Sequence, residues 1–262
     1  MLIRKPAFAN MFYTGNAKEL ERQVNSFIDD SIDVPLEGEL KGVISPHAGF
    51  IYSGIVAGSA FKQIKRMNQN KTKKVIILGP SHRFPLKGVS VCAYDKFLTP
   101  LGEIKVSEIA KELASKLGFI EYADSQEHSL EVQLPFLQLS LNDFEIIPIM
   151  IGSINVISLA NFLKPYIDED TIFVISTDLS HFFTYEKAIE IDNICNKAIP
   201  ALDTDTMIKS GDACGIYGVL ASMFLAKDLG WKADFLDYKN SGDTGTDKSR
   251  VVGYGAYAYS SK

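Results

Sequence analysis

Residues 74–82 read KVIILGPSH, and this stretch decides the fold class of the 262-residue chain. A nearly unbroken run of branched apolar residues is typical of a strand that is buried on both faces, and such strands form parallel sheets. Three further runs have the same character: GVIS at 42–45, EIIPIMIG at 145–152 and TIFVIS at 171–176. Amphipathic stretches separate these runs. The sequence therefore predicts an α/β fold with a mixed, largely parallel sheet flanked by helices.

The same patterns predict where the individual elements lie. Apolar, β-branched runs predict strands over residues 40–45, 74–79, 89–93, 144–151, 171–176, 233–238 and 251–259. Helical spacing of apolar residues predicts helices over residues 17–27, 54–67, 106–117, 130–141, 156–166, 185–202 and 215–229. No repeat, low-complexity tract or Pro/Ser-rich linker divides the sequence, so we expect one domain over residues 1–262.

Composition excludes several classes of protein. With 46% hydrophobic residues and a formal charge of −5 from 27 basic and 32 acidic side chains, the chain is typical of a soluble globular protein. The sequence has no concentrated basic patch of the kind that binds nucleic acid. No apolar run approaches the ~20 residues that a membrane span needs. The N-terminus lacks the apolar core of a signal peptide, and three scattered cysteines cannot form a disulfide framework, so we expect a cytoplasmic location. Because the glycines of the sequence have neither GxGxxG nor Walker spacing, we expect no nucleotide cofactor.

The histidines carry the main functional indication. Three of the four come shortly after a predicted buried strand: His47 after 42–45, His82 after 74–79, and His181 after 171–176. A single such residue is more often a loop histidine bonded to a nearby carbonyl. In an open α/β sheet, however, ligands bind in the crevice outside the carboxyl ends of the strands. Three histidines at equivalent strand ends therefore predict a common site.

Other side chains near these positions extend the predicted site. Asp178 and His181 are three residues apart, so one helical turn would place them on the same side. The carboxylate of Asp178 then orients an imidazole, acts as a general base or ligates a metal, or it simply caps the following turn. His128 lies at the edge of a predicted helix, whose dipole favours a neutral imidazole. We interpret the pair Glu127 and Glu131 as a solvated face.

Cys214 differs from the other two cysteines. It lies between glycines in GDACGIYG (211–218), where a helix is predicted to begin. A helix N-terminus stabilises a thiolate, which makes Cys214 a candidate soft metal ligand or nucleophile. Cys92 and Cys195 lie in an apolar strand and an amphipathic helix, and we expect both to be ordinary core residues.

Several segments, taken in order, resemble the Memo-like proteins, known in prokaryotes as AmmeMemoRadiSam system protein B. The resemblance covers nearly the whole chain and rests on SPHAGFIYSG (45–54), VIILGPSHRFPL (75–86), LTPLGE (98–103), EHSLEVQLPFL (127–137), IIPIMIG (146–152), VISTDLSHF (174–182), ACG (213–215) and FLDYKNSGD (235–243). The family is similar in fold to the LigB-type class III extradiol dioxygenases, which use non-haem Fe(II). The resemblance thus implies an α/β sandwich with a metal-sized pocket at the edge of the sheet.

The resemblance also implies roles for particular residues. The positions that match the family's metal-binding constellation are His47, His82 and Cys214. The positions that match its surrounding pocket, and for which it implies catalytic roles, are Asp178, His181 and His128. Relatives often carry a proline shortly after the Cys-Gly pair, where this chain has Gly218.

The function implied is that of a metal-dependent redox protein holding Fe(II) or Cu, with Zn also suited to the donor set, and acting on an unknown small substrate. A thiolate in place of the carboxylate of an Fe(II) facial triad is a softer donor, so oxygenase activity does not follow from the fold. Two alternatives stay open: a catalytically silent pocket protein that binds a phosphorylated or carboxylated ligand in a signalling role, and a metal-dependent hydrolase. The family name further implies partnership with an AMMECR1-like protein and a radical SAM enzyme.

Overall fold

The computed structural model describes residues 1–67 and 69–261. The strands of the described chain are β1 Ile3–Arg4, β2 Leu40–Ser45, β3 Lys73–Pro80, β4 Val89–Val91, β5 Lys96–Thr99, β6 Gly102–Val106, β7 Phe144–Ile151, β8 Thr171–Ser176, β9 His181–Phe183, β10 Lys232–Asn240 and β11 Val251–Ser260. The helices are α1 Ala17–Asp30, α2 Phe50–Lys65, α3 Glu108–Leu117, α4 Glu121–Ser125, α5 Leu134–Ser140, α6 Val156–Leu163, α7 Tyr185–Ala198, α8 Thr204–Ser210, α9 Ile216–Leu229 and α10 Ser241–Thr244.

All the strands belong to one mixed sheet with a parallel centre. Its order is β1-β5-β6-β7-β3-β8-β2-β11-β10, with β4 paired to β7 and β9 paired to β11. The four central strands β7, β3, β8 and β2 run parallel, whereas β11 and β10 continue the sheet in antiparallel fashion. The predicted α/β fold with a mixed, largely parallel sheet flanked by helices is therefore confirmed.

Burial explains why the apolar runs form the centre of the sheet. The side chains of Val75, Ile76, Ile77 and Leu78 in β3 are all fully buried, because helices cover both faces. Helices α1, α2 and α5 pack together on one face, and α6 and α9 pack on the other. This arrangement leaves the carboxyl ends of β3, β8 and β2 side by side at one edge.

The structure departs from the predicted elements in a few places. The short strands β1, β5, β6 and β9 were not predicted, and the predicted helix over 130–141 divides into a 3₁₀ turn, Glu131–Gln133, followed by α5. The helical turn predicted between Asp178 and His181 is wrong. This segment is instead hydrogen-bonded to β11, because Leu179 donates its N–H to the carbonyl of Gly253 at 2.8 Å.

Two smaller expectations can also be compared with the structure. Cys92 and Cys195 are fully buried in the core, which confirms their interpretation as core residues. Among the described residues, no helix has the length and apolar character that crossing a membrane requires.

Candidate metal centre

Three histidines converge at the carboxyl edge of the central strands. His82 follows β3, His47 follows β2, and His128 comes from the segment that precedes the 3₁₀ turn Glu131–Gln133. One ring nitrogen of each lies within 4.8 Å of one from each of the others. We call these three residues the histidine triad. Among the described residues, they are the ones whose possible ligand atoms lie close enough together to hold a metal ion.

The protonation of the His47 ring can be worked out from its surroundings. Its Nδ1 lies 2.9 Å from the hydroxyl of Ser176, which donates its single proton to the carbonyl of Ser129 at 2.6 Å. The hydroxyl must therefore accept from Nδ1–H, which leaves Nε2 of a neutral imidazole with a free lone pair. Burial, together with the charge of His82, lowers the pKa of His47 to about 3. His47 is thus neutral and presents Nε2 as a ligand atom.

Glu127 holds His82 in place. One carboxylate oxygen accepts the backbone N–H of His82 at 2.6 Å, and the other accepts its Nδ1–H at 2.9 Å. The second oxygen also accepts the backbone N–H groups of His128 and Ser129, each at 2.9 Å. Burial raises the pKa of Glu127, but the hydrogen bonds from His82 and Ser129 outweigh it and lower the pKa to about 2. A carboxylate that accepts from a ligating histidine fixes the ring and its tautomer.

The interpretation of Glu127 and Glu131 as a solvated face is wrong, because both residues are only 1% exposed. Glu131 pairs with Arg4 at 2.7 Å and accepts the hydroxyl proton of Tyr13 at 2.6 Å. Arg4 also donates to the backbone carbonyl of Glu127 at 2.9 Å, and it pairs with Asp124 at 3.1 Å. The N-terminal segment therefore anchors the loop that carries Glu127 and His128.

His128 lies in an aromatic environment. Its ring stacks on His82 at 4.6 Å between centroids and lies 4.5 Å from the ring of Phe12. Burial and the neighbouring His47 lower the pKa of His128 to about 3, so this imidazole is neutral as well. Its Nδ1 is buried and lacks a hydrogen-bond partner among the described residues, although Glu127 Oε1 lies 3.2 Å away. An orphaned ring nitrogen of this kind fits a ligand atom.

Cys214 joins the triad through His47. Its Sγ lies 3.2 Å from His47 Nε2 and 3.2 Å from the backbone nitrogen of Asp178, which donates to it. Burial and the charge of Asp178 raise the pKa of the Cys214 thiol to about 12, the opposite of what a helix N-terminus alone would do. The protonated thiol faces the lone pair of His47 Nε2 and donates to it.

Asp178 lies between the histidine-bearing strands, at the end of β8. It accepts the backbone N–H of His47 at 2.7 Å, and its other oxygen is 3.9 Å from His47 Nε2. Burial raises the pKa of Asp178, against the opposing effect of the His47 hydrogen bond. A carboxyl group whose charged form is disfavoured can hold a proton beside the triad.

Comparison with known proteins places the chain in a family. A model of the Memo-like proteins matches residues 4–258. The chain belongs to the Memo-like family. A MEMO1 family protein of Nitrosopumilus maritimus (strain SCM1) is 37% identical over 281 residues, which cover 98% of this chain and 100% of that protein. A MEMO1 family protein of Aquifex aeolicus (strain VF5) is 34% identical over 268 residues, covering 97% and 98% of the two chains.

A solved structure shares the fold of this Memo-like chain. The crystal structure of uncharacterized protein JW3007 from Escherichia coli K12 superimposes with a TM-score of 0.52 at 12% sequence identity. The match covers 83% of the Memo-like chain and 99% of the other. At this identity the comparison concerns the fold alone.

The predicted site residues of the Memo-like chain are distributed unevenly. His47, His82 and His128 lie together, and Cys214 and Asp178 contact His47. His181 begins β9 outside the triad, with its ring 5.6 Å from that of Phe182, and its charge influences the pKa values of His47 and Asp178. Gly218 lies in the first turn of α9.

The supporting roles of Arg4, Glu127, Ser176 and Gln133 were not predicted from the sequence. Gln133 donates both to the carbonyl of Pro46 and to the Ser176 hydroxyl, each at 2.9 Å, and so braces the turn before His47. No local spacing in the sequence relates these positions to the histidines. Only the EHS stretch at 127–129, which places a carboxylate directly before a histidine, offered an indication.

Proposed function

We propose that this chain binds one transition-metal ion, Fe(II) or Cu, and acts as an oxidoreductase on a small substrate. The observation that supports the proposal is the histidine triad, whose ligand atoms lie within 4.8 Å of one another at the carboxyl edge of the sheet. Imidazole nitrogen suits iron, copper and zinc, and at least His47 and His128 are neutral and need lose no proton to bind. The donor set therefore fits a first-row ion.

We assign His47 and His82 as ligands through Nε2, because Ser176 and Glu127 occupy their Nδ1 atoms. His128 supplies the third imidazole, and Cys214 is positioned to serve as a further, softer donor once its proton has left. An iron or copper ion bound in this way supplies Lewis acidity and one-electron exchange. Burial raises the pKa of Asp178, against the opposing charge of His181, and one oxygen of this carboxyl group lies 3.9 Å from His47 Nε2.

Metal loading under anaerobic conditions tests the ligand assignment. The wild-type chain, His82→Ala, His128→Ala and Cys214→Ser are each incubated with Fe(II), Cu(I) or Zn(II), desalted and analysed for bound metal. We expect about one bound ion per wild-type chain. In the two histidine variants, we expect the affinity for the metal ion to be at least tenfold lower than in wild type. His181→Ala is the matched control, because it removes an imidazole outside the triad and should retain the metal. A wild type that holds no more metal than His82→Ala would refute the proposal.

The reaction class requires a separate measurement with the loaded chain. Oxygen consumption by the Fe(II) and Cu(I) forms, with a panel of catechols and other small reductants, tests oxidoreductase activity against Zn(II) as a redox-inactive control. Turnover of ester or phosphoester substrates by the Zn(II) form would favour the hydrolase alternative instead. Loaded protein that is inactive in both assays would favour a pocket that binds a ligand without transforming it.

A further inference from the structure

A groove of about 560 Å³ lies next to the histidine triad. It is lined by the apolar and aromatic side chains of Phe8, Met11, Phe84 and Tyr122, together with the polar side chains of Arg83, Ser125 and Gln126. Met11 and Tyr122 are each 72% exposed, so the groove is open to solvent at this side. A volume of this size is within the range of small-molecule sites.

The groove borders the triad through three of its residues. Arg83 directly follows His82, and Gln126 directly precedes Glu127. Phe8 lines the groove with a ring that lies 5.5 Å from the ring of His128. Phe8 therefore contacts both the groove and the ring of His128.

Arg83 is the charged side chain that lines this groove. Among the described residues it has neither an ion pair nor a hydrogen bond, whereas Arg4 and Arg66 are paired with carboxylates. Arg250 packs over the ring of Phe182. A guanidinium presents a planar fork of donors that matches a carboxylate or a phosphate. Its presence, unpaired, in an otherwise uncharged groove matches an anionic ligand.

We propose that the groove binds an organic anion, with its carboxylate or phosphate group on Arg83 and its apolar body against Phe8, Phe84 and Tyr122. The further statement that this anion is the substrate of the triad rests on the proposed function. Charge recognition at Arg83 would hold the apolar body toward Phe8 and hence toward His128. Arg83 is a binding residue and takes no part in holding the metal.

Binding of simple probes tests the groove without knowledge of the natural ligand. Benzoate and phenyl phosphate carry the two anionic groups on one aromatic body, and neutral benzamide is the matched probe without charge. Their affinities are measured by ligand-observed NMR at low ionic strength for wild type and for Arg83→Gln. We expect Arg83→Gln to weaken both anions by at least tenfold and to leave benzamide unchanged, since hydrogen bonds to charged groups are the strong ones. The stronger of the two anions identifies the preferred head group.

Arg22→Gln is the control variant, because Arg22 is an exposed arginine of α1 away from the groove and should bind both anions as wild type does. The proposal is overturned if Arg83→Gln binds both anions as tightly as wild type, if benzamide binds as tightly as benzoate, or if neither anion binds. Metal content is measured on the same samples. Normal metal content with lost anion binding in Arg83→Gln separates the two sites, and a wild type that binds benzoate through Arg83 but no metal would refute only the metal proposal.

Discussion

Replacement of Glu127 by glutamine tests whether this carboxylate organises the metal centre. The carboxylate accepts four N–H groups, at 2.6 Å from the backbone of His82 and at 2.9 Å from His82 Nδ1, His128 and Ser129. The amide oxygen of glutamine can keep the three donors on one side, but its NH₂ group then faces the backbone N–H of His82. The opposite orientation places NH₂ against His82 Nδ1 and moves the ring proton to Nε2, the predicted ligand atom.

Either orientation leaves a buried donor unpaired and removes the charge from the remaining hydrogen bonds, at about 1–3 kcal/mol for each unmet group. We therefore expect Glu127→Gln to lower the free energy of unfolding by about 2–4 kcal/mol in urea at pH 7 with a chelator present. Because a partner of a ligating histidine is lost, we also expect Zn(II) affinity to fall by about 10–100-fold. Glu21→Gln on the exposed face of α1 is the control. Unchanged stability and unchanged Zn(II) affinity in Glu127→Gln would refute this account of the site.

Three further substitutions probe the scaffold. Arg4→Met leaves Glu131 and Asp124 buried without a cation, so we expect the free energy of unfolding in urea to fall by about 3–5 kcal/mol. A fall of less than about 1 kcal/mol would contradict the role of Arg4 in pairing these two carboxylates. Burial raises the pKa of Glu145, but its hydrogen bonds outweigh burial and hold the pKa below 4.5. The free energy of unfolding of Glu145→Gln should therefore be lower than that of wild type at pH 7. This difference should shrink as the pH falls below 4.5, where the carboxylate of wild type becomes protonated. The Cβ of Gly58→Ala would lie 2.1 Å from the Phe27 carbonyl oxygen, so urea unfolding should show destabilisation by about 1–3 kcal/mol, and wild-type stability would argue against this packing.

The central sheet was predictable because its burial is encoded locally. Strands buried on both faces need continuous apolar runs, and the predicted strands over 144–151 and 171–176 agree with β7 and β8 at both ends. Strands β5 and β6, which lie between β1 and β7 in the sheet, lack such runs. They are four and five residues long and include charged residues. They pair with each other as an antiparallel hairpin, and that hairpin is placed in the sheet by pairing with the distant segments β1 and β7.

The candidate site was predictable only in part, for the same reason. His47 and His82 follow strands whose position is encoded locally, so their convergence could be expected from topology. The burial of Glu127 and Glu131 depends on Arg4, which is more than 120 residues away in sequence. No periodicity or capping pattern relates residues so far apart, and a glutamate near a helix start is usually solvated. The neutral state of His128 likewise results from tertiary packing against Phe12 and the other two imidazoles.

The number of protons released on metal binding separates the possible ligand sets. Before binding, the Cys214 thiol is protonated at pH 7, because its pKa is raised to about 12, and it faces His47 Nε2 at 3.2 Å. An ion that takes His47 Nε2 displaces the thiol from that lone pair. The thiol must then either lose its proton and ligate as a thiolate, or turn away and keep it, since a coordinating thiol is deprotonated.

Calorimetric titration of Zn(II) at pH 7, in buffers of different ionisation enthalpy, counts these protons without interference from redox chemistry. If Cys214 completes the site, we expect wild type to release about one proton more per ion than Cys214→Ser does. The comparison with the variant cancels any proton that comes from the imidazoles, which both proteins share. Equal proton release by wild type and Cys214→Ser, with equal affinity, would restrict the ligands to the three histidines. In that case the thiol would be a neighbour of the metal and not part of its coordination.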